Sequence, residues 1–157
     1  MIPSAIDIGA SWAVLPEGIH EVSFDEVKRR FAGTEHRRVL LEGLRKGCES
    51  LAEAGCESVL IDGSFVSEKP NPGDFDVCWD PVNVDAERLD PILLDFDNER
   101  KAQKEQFGGE FFPSSARADM ELTFEEYFQI DKETEKPKGI LLIKLPIDDG
   151  VKPNDRK

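Results

Sequence analysis

Residues 57–80 read ESVLIDGSFVSEKPNPGDFDVCWD, and the fold turns on how this segment is parsed. Val59, Leu60 and Ile61 form a short apolar run bounded by polar and turn residues, which predicts a central strand. Gly63-Ser64 breaks that run. Between Lys69 and Gly73, Pro70 and Pro72 bias the chain towards a stiff, extended loop. The next stretch alternates, with Phe75, Val77 and Trp79 on one side and Asp74, Asp76 and Cys78 on the other. A period of two predicts a second strand with one apolar and one acidic face. A connecting loop has use for Gly, Pro and Asn, but it does not require Asp-x-Asp on the strand that follows.

On the N-terminal side, residues 1–18 carry Pro3, Pro16 and several small residues and read as an irregular arm. Ser23 with Glu26 forms a capping-box pattern, with Val22 and Val27 placed as a staple, so a short helix is expected up to about Gly33. Leu40, Leu41, Leu44, Cys48 and Leu51 recur at helical spacing, predicting a longer helix over 35–54 stopped by Gly55. On the C-terminal side, Pro91 predicts a helix start or turn with Leu93 and Leu94 inward. NERKAQKEQFGG predicts a helix with Asn98 as cap and Gly108 as stop. EFFPSS reads as a strand, Thr123 with Glu126 as a second capping box opening a helix to about Ile130, and KGILLIKL as the last strand. The expectation is an α+β fold, a small mixed β-sheet flanked by helices. One domain spans residues 19–146 and a mobile tail residues 147–157.

A chain of 157 residues suits one core. Its net charge of −13 argues against nonspecific DNA binding, which draws on neutralised phosphates, and against anionic membrane surfaces. The three cysteines show no CxxC spacing and read as free thiols of a reducing compartment. No basic-then-apolar leader opens the sequence, and no run approaches the roughly 18 apolar residues of a membrane span. A soluble cytoplasmic protein is expected.

Two acids at i and i+2 on a strand share a face and can flank one or two divalent cations. Mg²⁺ prefers such oxygen ligands, completing its shell with phosphates and water. Gly63 lets a phosphate approach the backbone closely, and Ser64 offers a hydroxyl and an N–H. A helix starting there adds favourable partial charge. Gly-Ser followed by Asp-x-Asp therefore joins a phosphate seat to a metal seat.

These residues resemble the signature of the DNA polymerase beta-like nucleotidyltransferases: Gly-Ser, a spacer of roughly ten residues, then Asp-x-Asp between apolar neighbours. LPEGIH (15–20) and KGILLIKL (138–145) extend a resemblance to a family of small bacterial nucleotidyltransferase-like proteins over most of the chain. The resemblance implies a polymerase beta-like core in which Gly63 and Ser64 hold a nucleoside triphosphate, ATP foremost, and Asp74 and Asp76 bind Mg²⁺ or Mn²⁺. It implies a third acid on a later strand. Element order favours Glu110, with Asp95, Asp119 and Glu121 as alternatives. The implied activity moves a nucleoside monophosphate to a hydroxyl of a protein, a tRNA end or a small molecule, in some relatives within toxin-antitoxin pairs. The competing reading is a degenerate fold acting as a binding partner or nucleotide sensor.

Lys69 lies between the motifs, either in reach of a phosphate or solvated on its loop. Arg100 and Lys104 share a helix face at i, i+4, facing the triphosphate, an acceptor or solvent. His20 and His36 are isolated and read as surface or packing residues. Cys78 reads as a small packing residue. Trp12, Trp79 and the phenylalanines read as core, with no base-stacking stripe.

Overall fold

The computed structural model describes residues 1–147. Of the expected tail, residues 148–157 lie outside the described residues. The elements run β1 (Gly18–Glu21), α1 (Phe24–Phe31), α2 (Glu35–Glu53), β2 (Ser58–Asp62), β3 (Phe75–Trp79), α3 (Asp97–Phe107), β4 (Gly109–Pro113), α4 (Phe124–Tyr127) and β5 (Gly139–Lys144). Short 3-10 turns occupy Ser64–Val66 and Pro91–Leu94. The fold is mixed α+β: four helices and one five-stranded mixed sheet in the order β1-β5-β2-β3-β4. β2 pairs antiparallel with both β3 and β5, while β1 with β5 and β3 with β4 are parallel.

Both capping boxes form, at Ser23–Glu26 and Thr123–Glu126. Thr34 caps α2, and Gly55 takes the left-handed conformation that ends it (φ +99°). The apolar face of α2 packs with Phe24, Val27 and the inward side of β2 and β3 (Val59, Ile61, Phe75, Val77, Trp79) in the main core. The opposite sheet face carries a smaller cluster of Leu60, Cys78, Ile140 and Phe128. Cys78 is fully buried, and burial pushes its thiol well above the usual range, as expected of a packing residue.

Several expectations need correction. No strand was expected before the first helix, yet β1 runs Gly18–Glu21; it has one apolar residue, Ile19, and four residues in all, too few to show alternation. Asn98 is no cap: Asn98, Glu99 and Arg100 all have left-handed backbones (φ 52–63°), and Asp95 accepts from the Asp97 amide instead. Leu93 is inward but Leu94 is 47% exposed, because the Pro91 turn is 3-10 and places neighbours on different sides. α4 stops at Tyr127 rather than Ile130. Trp12 and Phe96 lie outside the core, each about two-fifths exposed. Three phenylalanines pack on one another beside the smaller cluster. Phe96, Phe112 and Phe124 stack in series, Phe112 and Phe124 with ring centroids 4.0 Å apart and planes 10° from parallel. These rings come from three separate segments, so no sequence period announces them.

Two small residues on α2 set the position of β4. A Cβ on Gly43 would fall on the Phe107 carbonyl at the end of α3, and one on Gly47 would fall on the Phe111 ring. Gly43→Ala should therefore destabilise the protein by about 1–3 kcal/mol, the usual cost of overpacking. Gly33→Ala, which meets open space, should not. Urea unfolding midpoints compare the two. Equal midpoints would mean that α2 does not pack on the α3–β4 turn in this way.

Candidate metal and phosphate site

Asp62, Asp76 and Glu110 are direct register partners across β2, β3 and β4. Residues paired in this way point to the same face, so three carboxylates stand in a row. Asp74, two residues before Asp76, joins them. One carboxylate oxygen each from Asp74, Asp76 and Glu110 lies within 4.8 Å of the others. The ends of the row are neutralised. Lys138 pairs with Asp62, both nearly buried. Lys104 Nζ (3.1 Å) and Arg100 Nε (3.3 Å) hold Glu110. Asp74 and Asp76, by contrast, have no hydrogen bond or ion pair among the described residues. Burial, followed by the charges of Asp62, Asp74 and Glu110, pushes the Asp76 carboxyl up to about 7. Burial and Glu110 raise Asp74 as well.

β2 ends at Asp62, and Gly63 turns the chain with φ +93°, a region that favours glycine. A Cβ there would lie 2.9 Å from the Asp76 amide and 3.3 Å from its Oδ2. The 3-10 turn Ser64–Val66 begins at once. Carbonyls at this turn are engaged by nearby donors. Val66 N–H donates to Gly63 O, and Ser67 Oγ to Ser64 O at 2.6 Å. The buried Arg37 guanidinium donates to the carbonyls of Phe65 (2.8 Å), Ser67 (2.9 Å) and Lys69 (2.6 Å), and also to that of Phe31. Neighbouring His36 holds Pro72 O through Nε2 at 2.6 Å. The first turn of α2 thus pins the loop from Phe65 to Pro72, while the Ser64 and Phe65 amides have no acceptor among the described residues.

Two clefts of about 220 Å³ each meet at Asp76, Tyr127, Phe128 and Lys132. Over β2, the first is lined by Asp62, Gly63, Ser64 and Lys138. Over β4, the second is lined by Glu110, Arg100, Phe112 and Tyr127.

Of the residues expected at a site, Asp74, Asp76 and Glu110 come together, and Gly63 and Ser64 border the first cleft beside them. Lys104 reaches Glu110. Lys69 lines neither cleft, but its ammonium lies 5.8 Å from the ring centroid of Trp12, which lines the first cleft, and its charge reaches Asp74. The alternative third acids are placed elsewhere: Asp95 accepts from the Asp97 amide, Asp119 accepts from the Glu121 and Leu122 amides, and Glu121 is exposed in that loop. Sequence reasoning missed Lys132, Lys138, His36 and Arg37. One signal pointed to Arg37. A cation in the first turn of a helix opposes the helix dipole, so its presence there calls for a tertiary partner.

Residues 8–144 match a family of unknown function, DUF6932, and the chain belongs to that family. No curated protein and no solved structure matches it.

The raised Asp76 carboxyl sets a pH dependence. Between pH about 4 and 7 the folded state holds a proton that the unfolded chain has released, so stability falls as pH rises through this window and levels off above it. The full effect is bounded at about 4 kcal/mol. Asp76→Asn should raise the melting temperature by several degrees at pH 8 and leave it nearly unchanged at pH 4.5. An equal shift at both pH values would mean that the carboxyl titrates normally.

Proposed function

We propose that this chain is a metal-dependent nucleotidyltransferase with a polymerase beta-like core, moving a nucleoside monophosphate from a triphosphate such as ATP to a hydroxyl. The observation that carries this reading is the convergence of Asp74, Asp76 and Glu110 beside a glycine turn with two free amides. The donor set fits Mg²⁺ or Mn²⁺. It is all oxygen, one carboxylate oxygen from each of three residues within 4.8 Å of the others, the hard donors such ions prefer. Bound there, the metal would offset charge on the phosphates and lower the pKa of the acceptor hydroxyl.

The chain's own residues have distinct tasks in this proposal. Gly63 admits the phosphates against the backbone, and the Ser64 and Phe65 amides donate to them. Lys132, on the same cleft, adds positive charge for the β and γ phosphates, while Lys138 stays held by Asp62. Arg37 and His36 keep the loop carbonyls turned away, so that the anion meets donors only. Glu110 stands beside the pair, as the third ligand of the metal or as the base that takes the hydroxyl proton. The phosphate and metal seats lie in adjoining strand ends, so binding one favours the other.

A second reading, a nucleotide-binding module without turnover, rests on one observation. Arg100 and Lys104 already occupy Glu110, which leaves two acids rather than three for a metal.

Metal and nucleotide binding test the first reading. Millimolar Mg²⁺ with a non-hydrolysable triphosphate should raise the melting temperature of the wild type in a concentration-dependent way, and should not do so for Asp76→Asn. Gly63→Val should raise the dissociation constant tenfold or more, since each charge-assisted hydrogen bond lost is worth about 1–3 kcal/mol. Labelled-triphosphate transfer should vanish in Asp76→Ala. Triphosphate binding that ignores Asp76 would discard the metal site. Tight, Asp76-dependent binding without transfer in any assay would favour the module.

A further inference from the structure

We infer that the arm before β1 forms part of the nucleotide site, and that Trp12 is the platform on which the base of a nucleoside triphosphate stacks. This inference rests on the triphosphate seat proposed above. Asp76, Tyr127, Phe128 and Lys132 line both clefts, whereas Trp12 lines only the first, together with the Gly63 turn. A base bound against Trp12 therefore shares one cleft with the phosphates that meet the Ser64 amide.

Residues 6–15 are tied down from two directions. Towards the glycine turn, Val14 bridges to Ser67, and the Glu68 amide donates to the Ala13 carbonyl at 3.1 Å. Towards the segment before β5, the Ser11 amide (2.9 Å) and hydroxyl (2.8 Å) donate to the Glu133 carboxylate, Lys136 Nζ donates to the Ile8 carbonyl (2.8 Å), and the Gly139 amide donates to the Leu15 carbonyl (2.9 Å). Both chain neighbours of Trp12 are thus held, and Val14 and Leu15 are buried. The indole nevertheless stays 42% exposed on the cleft wall. A lone exposed ring carries little information, but one whose backbone is fixed at the wall of a cleft offers a stacking surface with little left to order on binding.

Two ring–ammonium pairs stand at this cleft. Lys69 Nζ lies 5.8 Å from the Trp12 ring centroid and Lys132 Nζ 5.2 Å from that of Tyr127, and neither lysine forms an ion pair among the described residues. Such contacts are weak at exposed sites, so the ammoniums can turn to phosphate oxygens, which bind them more strongly. Inorganic triphosphate would use the amides and the ammoniums and leave the rings unused. A nucleoside triphosphate uses all of them. Stacking on an aromatic side chain accepts any base, because each presents a π-face. The arm thus favours a nucleotide over a bare polyphosphate.

Calorimetry of the full chain with Mg²⁺ and two probes tests this: a non-hydrolysable ATP analogue and inorganic triphosphate. The wild type should bind the analogue about tenfold more tightly than inorganic triphosphate, or better. Trp12→Ala should raise the dissociation constant of the analogue about tenfold or more and leave that of inorganic triphosphate within about twofold, while Trp12→Phe should keep most of the wild-type affinity. Indole fluorescence is a second readout. The analogue should quench the wild type, and the quenching should vanish in Trp12→Phe, which retains only the buried Trp79. An unchanged analogue affinity in Trp12→Ala overturns the inference and leaves the triphosphate seat standing. So does an equal rise for both probes, which would mean that Trp12 only holds the glycine turn in shape. A wild type that binds neither probe overturns the inference and the triphosphate reading together.

Discussion

Like charges set side by side in a sheet constrain everything around them. Asp62, Asp76 and Glu110 are forced into one row by strand register, and such a row is stable only if something answers each charge. Lys138 answers Asp62, and Lys104 with Arg100 answers Glu110. Nothing answers Asp76, and its carboxyl responds by holding its proton to about pH 7. Among the described residues, the fold pairs the outer members and leaves the central one without an ion pair. The cost of an unpaired buried carboxylate is the physical argument that this row serves a purpose other than stability.

The helix α2 organises the site from the other side of the sheet. Gly43 and Gly47, one turn apart, let the α3–β4 turn approach closely, which brings β4 and Glu110 alongside β3. At its start, His36 and Arg37 reach the loop that joins β2 to β3 and take four of its carbonyls. A buried guanidinium with carbonyl partners alone is unusual, and burial lowers its proton affinity. It is tolerated because the fork satisfies several acceptors that would otherwise be orphaned. One helix thus determines both the spacing of the carboxylates and the direction in which the glycine turn faces.

The sheet face opposite α2 has a different character. Its apolar cluster is small, and the stacked phenylalanines continue it past Cys78 towards Glu110. Aromatic surface next to acids and cations is costly to leave half-covered. Its position on one side of Asp76, with the glycine turn on the other, gives the face two distinct ends. Arg100 belongs to this arrangement through three consecutive left-handed residues. Such backbone costs roughly 1–2 kcal/mol per residue and persists where surrounding contacts over-determine it. The Glu110 ion pair and the Phe112 ring are the contacts that do so here.

The sequence by itself determined what depends on neighbours in the chain. Alternation in DFDVCWD placed Asp74 and Asp76 on one side of a strand, two capping boxes opened α1 and α4, and Gly63 ended β2 at a turn. These are local effects of backbone sterics and hydrogen bonding, and they can be read wherever a period or a cap is long enough to show. β1 was too short, and the left-handed run at Asn98 has no residue preference that would reveal it. Element order favoured Glu110 without excluding Asp95, Asp119 or Glu121, and only the parallel pairing of β3 with β4 sets Asp76 against Glu110. The tertiary structure alone gave Lys138 to Asp62, the loop carbonyls to Arg37, and the three phenylalanines to one stack. Those contacts join residues distant in the chain, and their partners are chosen by register and close packing, which no local pattern records.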